Sequence, residues 1–354
     1  PYTLLSKSKM GKKLTRVLHV MAGAQFGGAE EFFSRLLPAL ARTGVNQTAA
    51  IRANYQREKI LKNASIPFKK YRFGNIFDWQ TGPQLRQQTK AYAPDLVFAW
   101  MSRAAKFCTR GEYLIIGRLG GYYDLKYYRK CDHLIGNTEH ICRYITERGW
   151  PENRVHYLPN FVDGTPGNAI DRSTINTPSD VPLLLALGRL HNNKAFDVLI
   201  KALVTLPTTY LWLAGEGPQR QVLANLAIKL GVYDRIRFLG WRPDTNDLLA
   251  SCDILVCSSR LEPLGNVVLE AWAQKKPVVA AMATGPKSVI KSGVNGLLTP
   301  IDDASALSSA IKSVLSSKEQ LNELAEGGFK TYKKAFTEDR VTSLYSNFFT
   351  AVSK

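Results

Sequence analysis

The chain has 354 residues, enough for two domains of ordinary size, and its 45% hydrophobic content is enough to fill real cores. It holds no apolar run long enough to span a bilayer, and the basic start from Pro1 to Lys13 is not followed by the apolar core of a signal peptide, so a cytoplasmic protein is expected. Net charge is +18, from 47 Lys and Arg against 29 Asp and Glu, with 26 basic and 12 acidic residues in 1–165 and 21 and 17 in 166–354. A basic half of this kind fits an anionic partner, whether nucleic acid, an anionic membrane or an acidic acceptor, and equally fits a generally basic proteome. The five cysteines, Cys108, Cys131, Cys142, Cys252 and Cys257, have neither metal-like nor disulfide-like spacing and read as buried reduced thiols.

Arg16 to Ala22 reads as a buried first strand. Gly23 to Glu30 is a glycine-rich turn, and Glu31 to Leu40 has helical periodicity, with Phe32, Phe33, Leu36, Leu37 and Leu40 apolar. A strand, glycine turn and helix start of this kind offers a phosphate cradle at its tip. It is not a dinucleotide fingerprint. The glycines do not follow Gly-x-Gly-x-x-Gly, and the next strand, near Gln47 to Ala53, ends without an acid to hold a ribose, which disfavours a nicotinamide cofactor. Arg52 to Arg72 is strongly basic (Arg57, Lys59, Lys62, Lys69, Lys70, Arg72) and is interleaved with and followed by Tyr71, Phe73, Phe77 and Trp79. That mixture suits single-stranded nucleic acid, a membrane surface, or simply a solvated face with a few packed rings. A helix from Gln80 to Tyr92 stops before Pro94, and Asp95 to Trp100 is the next buried strand. Tyr113 to Gly117 is another, followed by Arg118-Leu119-Gly120-Gly121-Tyr122-Tyr123-Asp124. Thr138 caps a helix from Glu139 to Arg148. Arg154 to Asp163 closes this half, and Gly164 to Val181, rich in Gly, Pro, Ser, Thr, Asn and Asp, reads as an interdomain linker.

The second half opens on Pro182 to Leu187, a nearly continuous apolar run typical of a parallel strand buried on both faces. Gly188-Arg189-Leu190 and then Asn193 to Ile200 follow, so Arg189 and Lys194 stand between a strand's carboxyl end and a helix. There they suit a diphosphate, or are surface cations. Tyr210 to Ala214 is a strand ending in Gly215-Glu216-Gly217-Pro218, and Gln219 to Leu230 is a helix stopped by Gly231. Ile236 to Arg242 is a strand and its exit, and Asn246 to Ser251 is a short helix. Ile254 to Cys257 reads as a buried strand, Ser258 to Gly265 as a loop, and Val267 to Ala273 as a helix. In an open parallel sheet, ligands sit at such strand ends, and free N–H groups at the helix start favour a phosphate. Glu262 and Glu270 are poor phosphate ligands but good acceptors for ligand hydroxyls, which sugars supply. Pro277 to Ala280, Thr284 to Lys287 and Asn295 to Leu298 complete the alternation, and the chain is helical from Ala304, with a last helix at about Thr337 to Val352.

Glu262 and Glu270, with seven residues between them and Pro277-Val278-Val279-Ala280 after them, resemble the Glu-x7-Glu signature of retaining GT-B glycosyltransferases of family 4, the glycosyl transferases group 1. The bland alternative is an ordinary helix with a buried Pro-Val-Val strand after it and its two acids solvated. The Gly27-Gly28-Ala29-Glu30 tetrapeptide, the Gly188-Arg189-Leu190 and Lys194-x-Phe196-Asp197 patterns, the Gly215 turn, the Pro159-Asn160 pair and the terminal helix are similar to the same family, so the resemblance covers nearly the whole chain. It implies an α/β architecture of two Rossmann-like doubly wound domains facing across a cleft: residues 1–165 on the acceptor side, 166–335 on the donor side, and a helix, 336–354, crossing back.

The implied reaction moves a sugar from a UDP- or GDP-linked donor to an acceptor hydroxyl, with retention. The nucleotide sugar is a co-substrate and no cofactor is called for. By resemblance, Arg189, Lys194 and the helix start at Pro263, Leu264, Gly265, Asn266 and Val267 neutralise the leaving diphosphate, an electrostatic task that needs no metal. The sequence has no Asp-x-Asp pair. Glu270 then holds the ribose and Glu262 the transferred sugar or its phosphate side. Gly27, Gly28, Gly188 and Gly215 lie near the donor, and Trp241 or Arg242 covers the base. The chain departs from the family at Val97 to Met101, where many members carry a His and this one does not, which leaves no side-chain base. Asp124 is the acidic candidate on the acceptor side, or a turn residue bonding its own backbone. Within the family, the Arg118 to Tyr123 segment and the basic first half look most like bacterial enzymes of lipopolysaccharide core assembly. That likeness implies an anionic glycolipid or glycan acceptor, peripheral contact with the inner membrane and no nucleic acid. A transferase acting on soluble sugars, or a basic nucleic-acid-binding α/β protein, are the rival readings.

Overall fold

The computed structural model describes residues 15–25, 27–74 and 77–353. In chain order the first strands and helices are β1 (Arg16–Met21), α1 (Gly28–Arg42), β2 (Asn46–Arg52), α2 (Tyr55–Asn63), β3 (Phe68–Tyr71), α3 (Thr81–Tyr92), β4 (Leu96–Trp100), α4 (Met101–Phe107), β5 (Leu114–Leu119), β6 (His133–Gly136), α5 (Glu139–Thr146) and β7 (Val155–Tyr157). They are followed by β8 (Leu183–Leu187), α6 (Phe196–Ala202), β9 (Tyr210–Ala214), α7 (Arg220–Lys229), β10 (Ile236–Gly240), α8 (Thr245–Ser251), β11 (Ile254–Cys257), α9 (Asn266–Ala273), β12 (Val278–Ala281), α10 (Thr284–Val289), β13 (Leu297–Thr299), α11 (Ala304–Ser316), α12 (Lys318–Ala335) and α13 (Glu338–Val352). They form two compact units. One takes the chain up to Arg118 with Asp124–Leu134 and the residues from Leu344 onward; the other takes Leu119–Tyr123 and Ile135–Ser343.

A seven-stranded sheet has the order β3-β2-β1-β4-β5-β6-β7, and β1 to β5 pair in parallel. Its central strands read as unbroken apolar runs because helices cover both faces. α1 buries Phe32, Phe33, Leu36, Leu37 and Leu40, each worth roughly 1.5–3 kcal/mol when fully removed from water. The end of α13 belongs to this unit. Its Phe349 ring lies 5.5 Å from Phe98, and its Tyr345 hydroxyl accepts a 3.0 Å hydrogen bond from Nε of the buried Arg118.

The basic stretch from Arg52 to Arg72 folds as α2 and the edge strand β3. Its lysines hid both, because only Arg57 and Leu61 of α2 and Tyr71 of β3 are buried.

The six-stranded sheet has the order β10-β9-β8-β11-β12-β13, parallel throughout. This is the doubly wound arrangement in which the chain leaves a central strand in opposite directions on its two sides. Gly164 to Val181, read as a linker, is a strap laid on this unit. Arg172 Nη2 donates to Ser251 O at 2.7 Å and reaches Asp253, Trp212 Nε1 donates to Thr177 Oγ1 at 2.9 Å, and Arg237 Nε donates to Asn176 O at 2.9 Å. Its partners, among them Ser251, Asp253, Trp212 and Arg237, are distant in sequence, so composition alone could not reveal it. All five cysteines are buried and unpaired. Among the described residues, no helix is long and apolar enough to cross a membrane.

Candidate active site

β8 and β11 are neighbours, with Ile254 opposite Leu184 and Leu255 opposite Leu185. From β8 the sheet continues to β9, and from β11 to β12, so the loops leaving the carboxyl ends of these two strands diverge. Such a switch point opens a crevice where a ligand can reach backbone groups from both loops. Here the loops are Gly188–Ala195 and Ser258–Gly265.

Several bonds stitch them together. Arg260 N and Leu261 N donate to Asn193 O at 2.8 and 3.2 Å, and Ser258 Oγ donates to Lys194 O at 2.9 Å. Arg260 grips Asp197 with two bonds of 2.9 and 2.8 Å and meets Asp302 at 2.5 Å. This bidentate clasp fixes the loop geometry and uses up that cation locally. Within the frame, Lys194 Nζ donates to Glu262 Oε2, which also accepts from Ser259 Oγ at 3.4 Å. Burial opposes the charge on Lys194, but the Glu262 carboxylate, with Glu270 behind it, outweighs burial and raises its pKa above that of a free lysine. The two acids and the lysine read from the sequence are therefore one cluster.

Gly265, at φ +80°, turns the chain into α9, and no side chain caps that helix. An uncapped helix start offers its first N–H groups, and the positive end of its dipole, to an anion. Glu270 is buried in the second turn. Pro263 and Leu264 are held from behind: Gly285 N donates to Glu262 O at 2.7 Å, and a Cβ on Gly285 would crowd Leu264 N at 2.6 Å. Asn266 Oδ1 accepts from Nδ2 of the buried Asn160 at 3.0 Å. Asn160, which the sequence reading quoted but assigned no role, thus orients the first residue of α9. Val267, next to it, is half-buried.

Arg189 differs from Arg260. It is exposed and, among the described residues, makes no ion pair. Gly188, at φ +142°, leaves room for the Lys194 stem, since a Cβ there would stand 3.0 Å from Lys194 Cε. Gly215 N donates to Gly240 O at 2.7 Å, and a Cβ on Gly215 would overlap the Gly188 carbonyl oxygen. Gly215→Ala is accordingly expected to displace the Gly188–Arg189 turn and to lower stability by about 2–3 kcal/mol. Thermal unfolding measures this, and an unchanged melting temperature would refute it. After β10, Trp241 is exposed, whereas Arg242 is tied to Asp244 by two hydrogen bonds, the Nε one 2.7 Å long. Of the two side chains, the indole is the more exposed.

The remaining candidates lie in the first unit. Gly27 precedes α1 and Gly28 begins it. A Cβ on Gly27 would overlap Glu30 Oε2, and Glu30 Oε1 accepts from Ala24 N at 2.7 Å. A carboxylate of the chain itself thus occupies the inside of the turn that was read as a phosphate cradle. Asp124 accepts from Lys126 N at 2.9 Å and pairs with Lys126 Nζ at 2.7 Å, bonds that hold its pKa below the usual range. Of its two readings, this geometry is that of the turn residue. At the end of β4, where no His stands, Met101 takes a left-handed φ of +64°. Among the described residues, no three His, Cys, Asp or Glu side chains cluster in a way that could hold a metal.

Residues 168–331 match the family described as glycosyl transferases group 1. The lipopolysaccharide core biosynthesis glycosyltransferase LpsE of Rhizobium meliloti is 37% identical over 335 residues, covering 93% of this chain and 97% of the relative. LpsD of the same organism is 33% identical, covering 94% and 98%. Anabaena Alr3699/HepE, solved in complex with UDP-glucose, superposes with a TM-score of 0.84 at 20% identity, covering 95% of this chain and 99% of that one. Its sequence is too distant to show more than the fold, which is GT-B. The identity to LpsE and LpsD along almost the full length, joined to the family match over the site, shows that this chain belongs to the group 1 glycosyltransferases.

Proposed function

We propose that the enzyme transfers a hexose from a UDP-hexose to a hydroxyl of a lipopolysaccharide core acceptor, with retained anomeric configuration and without a metal ion. The Lys194–Glu262–Glu270 cluster beneath the open start of α9 carries this reading. A departing nucleoside diphosphate gains negative charge as the glycosidic bond breaks, and preorganised donors lower the barrier most when they face that charge. Lys194 has three donors and spends one on Glu262, so others are available to phosphate oxygens. Arg189 adds a second cation, and the first N–H groups of α9 add a third source of positive potential. Glu270 accepts from the ribose hydroxyls, Glu262 from the transferred sugar, and Trp241 stacks on the base. The glycines at 188, 215 and 265 let backbone approach the donor closely.

The acceptor reading comes from the names of the two Rhizobium meliloti relatives, and the basic first half, residues 1–165, suits an anionic glycan. In this scheme residues 1–165 form the acceptor side, 166–335 the donor side, and 336–354 the helix returning to the first. Because UDP-glucose occupies the Anabaena structure, UDP is the first nucleotide to test. Calorimetry is expected to show UDP binding that survives a chelator and weakens about tenfold or more in Glu270→Ala, the loss of hydrogen bonds to a charged acceptor. Undiminished UDP affinity in that variant, correctly folded, refutes the donor site. Transfer that a chelator abolishes refutes the metal-free mechanism.

A further inference from the structure

The carboxylate of Glu262 is held unevenly. Lys194 Nζ and Ser259 Oγ, the latter at 3.4 Å, both donate to Oε2. Among the described residues, Oε1 accepts no hydrogen bond. The two donors come from different loops, since Lys194 follows β8 and Ser259 follows β11. Ser259 is itself backed by the last residue of β11. Cys257 Sγ donates to Ser259 Oγ at 3.7 Å, and the two residues are 4% and 2% exposed. Burial, with the Glu262 charge nearby, pushes the thiol pKa up, so the sulfur keeps the proton that it donates.

A serine hydroxyl has one proton and two lone pairs. Here the thiol fills one lone pair, and the proton is left for Glu262. The adjacent Ser258, equally buried, donates to Lys194 O at 2.9 Å, which ties down a loop carbonyl and is an ordinary structural task. Ser259 does something else: it spends its proton on a carboxylate oxygen that already has an ammonium partner. What a second donor on the same oxygen adds is orientation. The last torsion of a glutamate is soft and roughly two-fold. One ion pair leaves the carboxylate plane free to swing, whereas two donors from different loops hold it.

We infer that Ser259, with Cys257 behind it, is a positioning residue that fixes the Glu262 oxygen offered to the transferred sugar, and thereby sets the choice between epimeric hexoses on the donor. The inference rests on the proposed reading that Glu262 accepts from that sugar, and deepens it by naming what selects the sugar. Epimers differ in the direction of one hydroxyl. An acceptor oxygen held in one place rejects the epimer whose hydroxyl points elsewhere, whereas a swinging carboxylate follows either. The nucleotide part of the donor does not meet this oxygen, so UDP binding is indifferent to it.

The test is calorimetry of the full chain with UDP, UDP-glucose and UDP-galactose. The parent is expected to bind one of the two epimers about tenfold more tightly than the other. Ser259→Ala is expected to shrink that preference to about twofold, with UDP affinity within about twofold of the parent. Ser259→Thr keeps the hydroxyl and is expected to keep the preference, which separates orientation of Glu262 from mere filling of space. Cys257→Ala is expected to lose about threefold of the preference and Cys257→Ser, which retains a donor, to lose none. A parent that binds UDP but does not distinguish the epimers overturns the inference. So does Ser259→Ala with the parent's preference, or a UDP affinity that falls in step with the preference. Parent protein that binds no UDP brings down the donor reading itself and this inference with it, so the two failures are distinguishable.

Discussion

Lys194→Met is expected to lower kcat by about a thousandfold, the scale seen when one preorganised donor is removed from a charge that develops in the transition state. Methionine keeps most of the stem's volume in the space that Gly188 leaves open, so the change is chiefly one of charge. A second consequence follows. Glu262 loses the partner of its part-buried ion pair, which lowers stability by roughly 2–3 kcal/mol, since breaking such a pair leaves an uncompensated charge. The two effects separate in Lys194→Met/Glu262→Gln. Neutralising the stranded carboxylate is expected to restore most of the melting temperature, while kcat stays low. Steady-state kinetics and thermal unfolding on the three proteins decide the matter. If the double variant regains activity along with stability, Lys194 is a structural cation and not a catalytic one.

Acid is expected to destabilise the first unit through one residue. His19 is fully buried in β1; its Nδ1 accepts from Trp100 Nε1 at 3.3 Å, and Phe98 and Phe349 pack against the ring at 5.5 and 6.2 Å. Burial drives its pKa from 6.5 down to about 3, against a smaller opposing contribution from Gln47. The folded state therefore keeps His19 neutral at pH values where the unfolded chain has already taken up its proton. Its contribution is fully present above about pH 6.5. It declines by about 1.4 kcal/mol per pH unit below that, and roughly 5 kcal/mol is gone near pH 3. His19→Gln keeps a hydrogen-bonding group for Trp100 but does not titrate. Urea unfolding between pH 7 and 4 is expected to show a shallower loss for the variant than for the parent. Equal slopes would mean that other groups carry the acid sensitivity.

The two predictions rest on residues that were differently visible in the sequence. Glu262, Glu270 and Lys194 were readable as residue types at meaningful spacings, because a buried strand, a glycine-punctuated loop and a helix start each leave a local signature in neighbouring residues. The alternation of strand and helix, and with it the doubly wound class, was readable for the same reason: side-chain periodicity is set over a few positions along the chain. His19 was not readable. One histidine in an apolar run does not show whether water reaches it, and its ring partners come from β4 and the last helix. The strap 164–181 reads as a free linker because the residues that hold it, Ser251, Asp253, Trp212 and Arg237, lie elsewhere in the chain. Asp124 had two readings until Lys126 was seen to close its turn.

The sequence by itself determined which side chains are candidates for the chemistry and on what kind of element each stands. Only the tertiary structure decided which of them meet. Lys194 and Glu262 are 68 positions apart, and they touch because β8 and β11, though separated by two strands in the chain, lie side by side in the sheet. Strand order is fixed by burying both faces of a whole sheet at once, a condition that no short window of sequence contains.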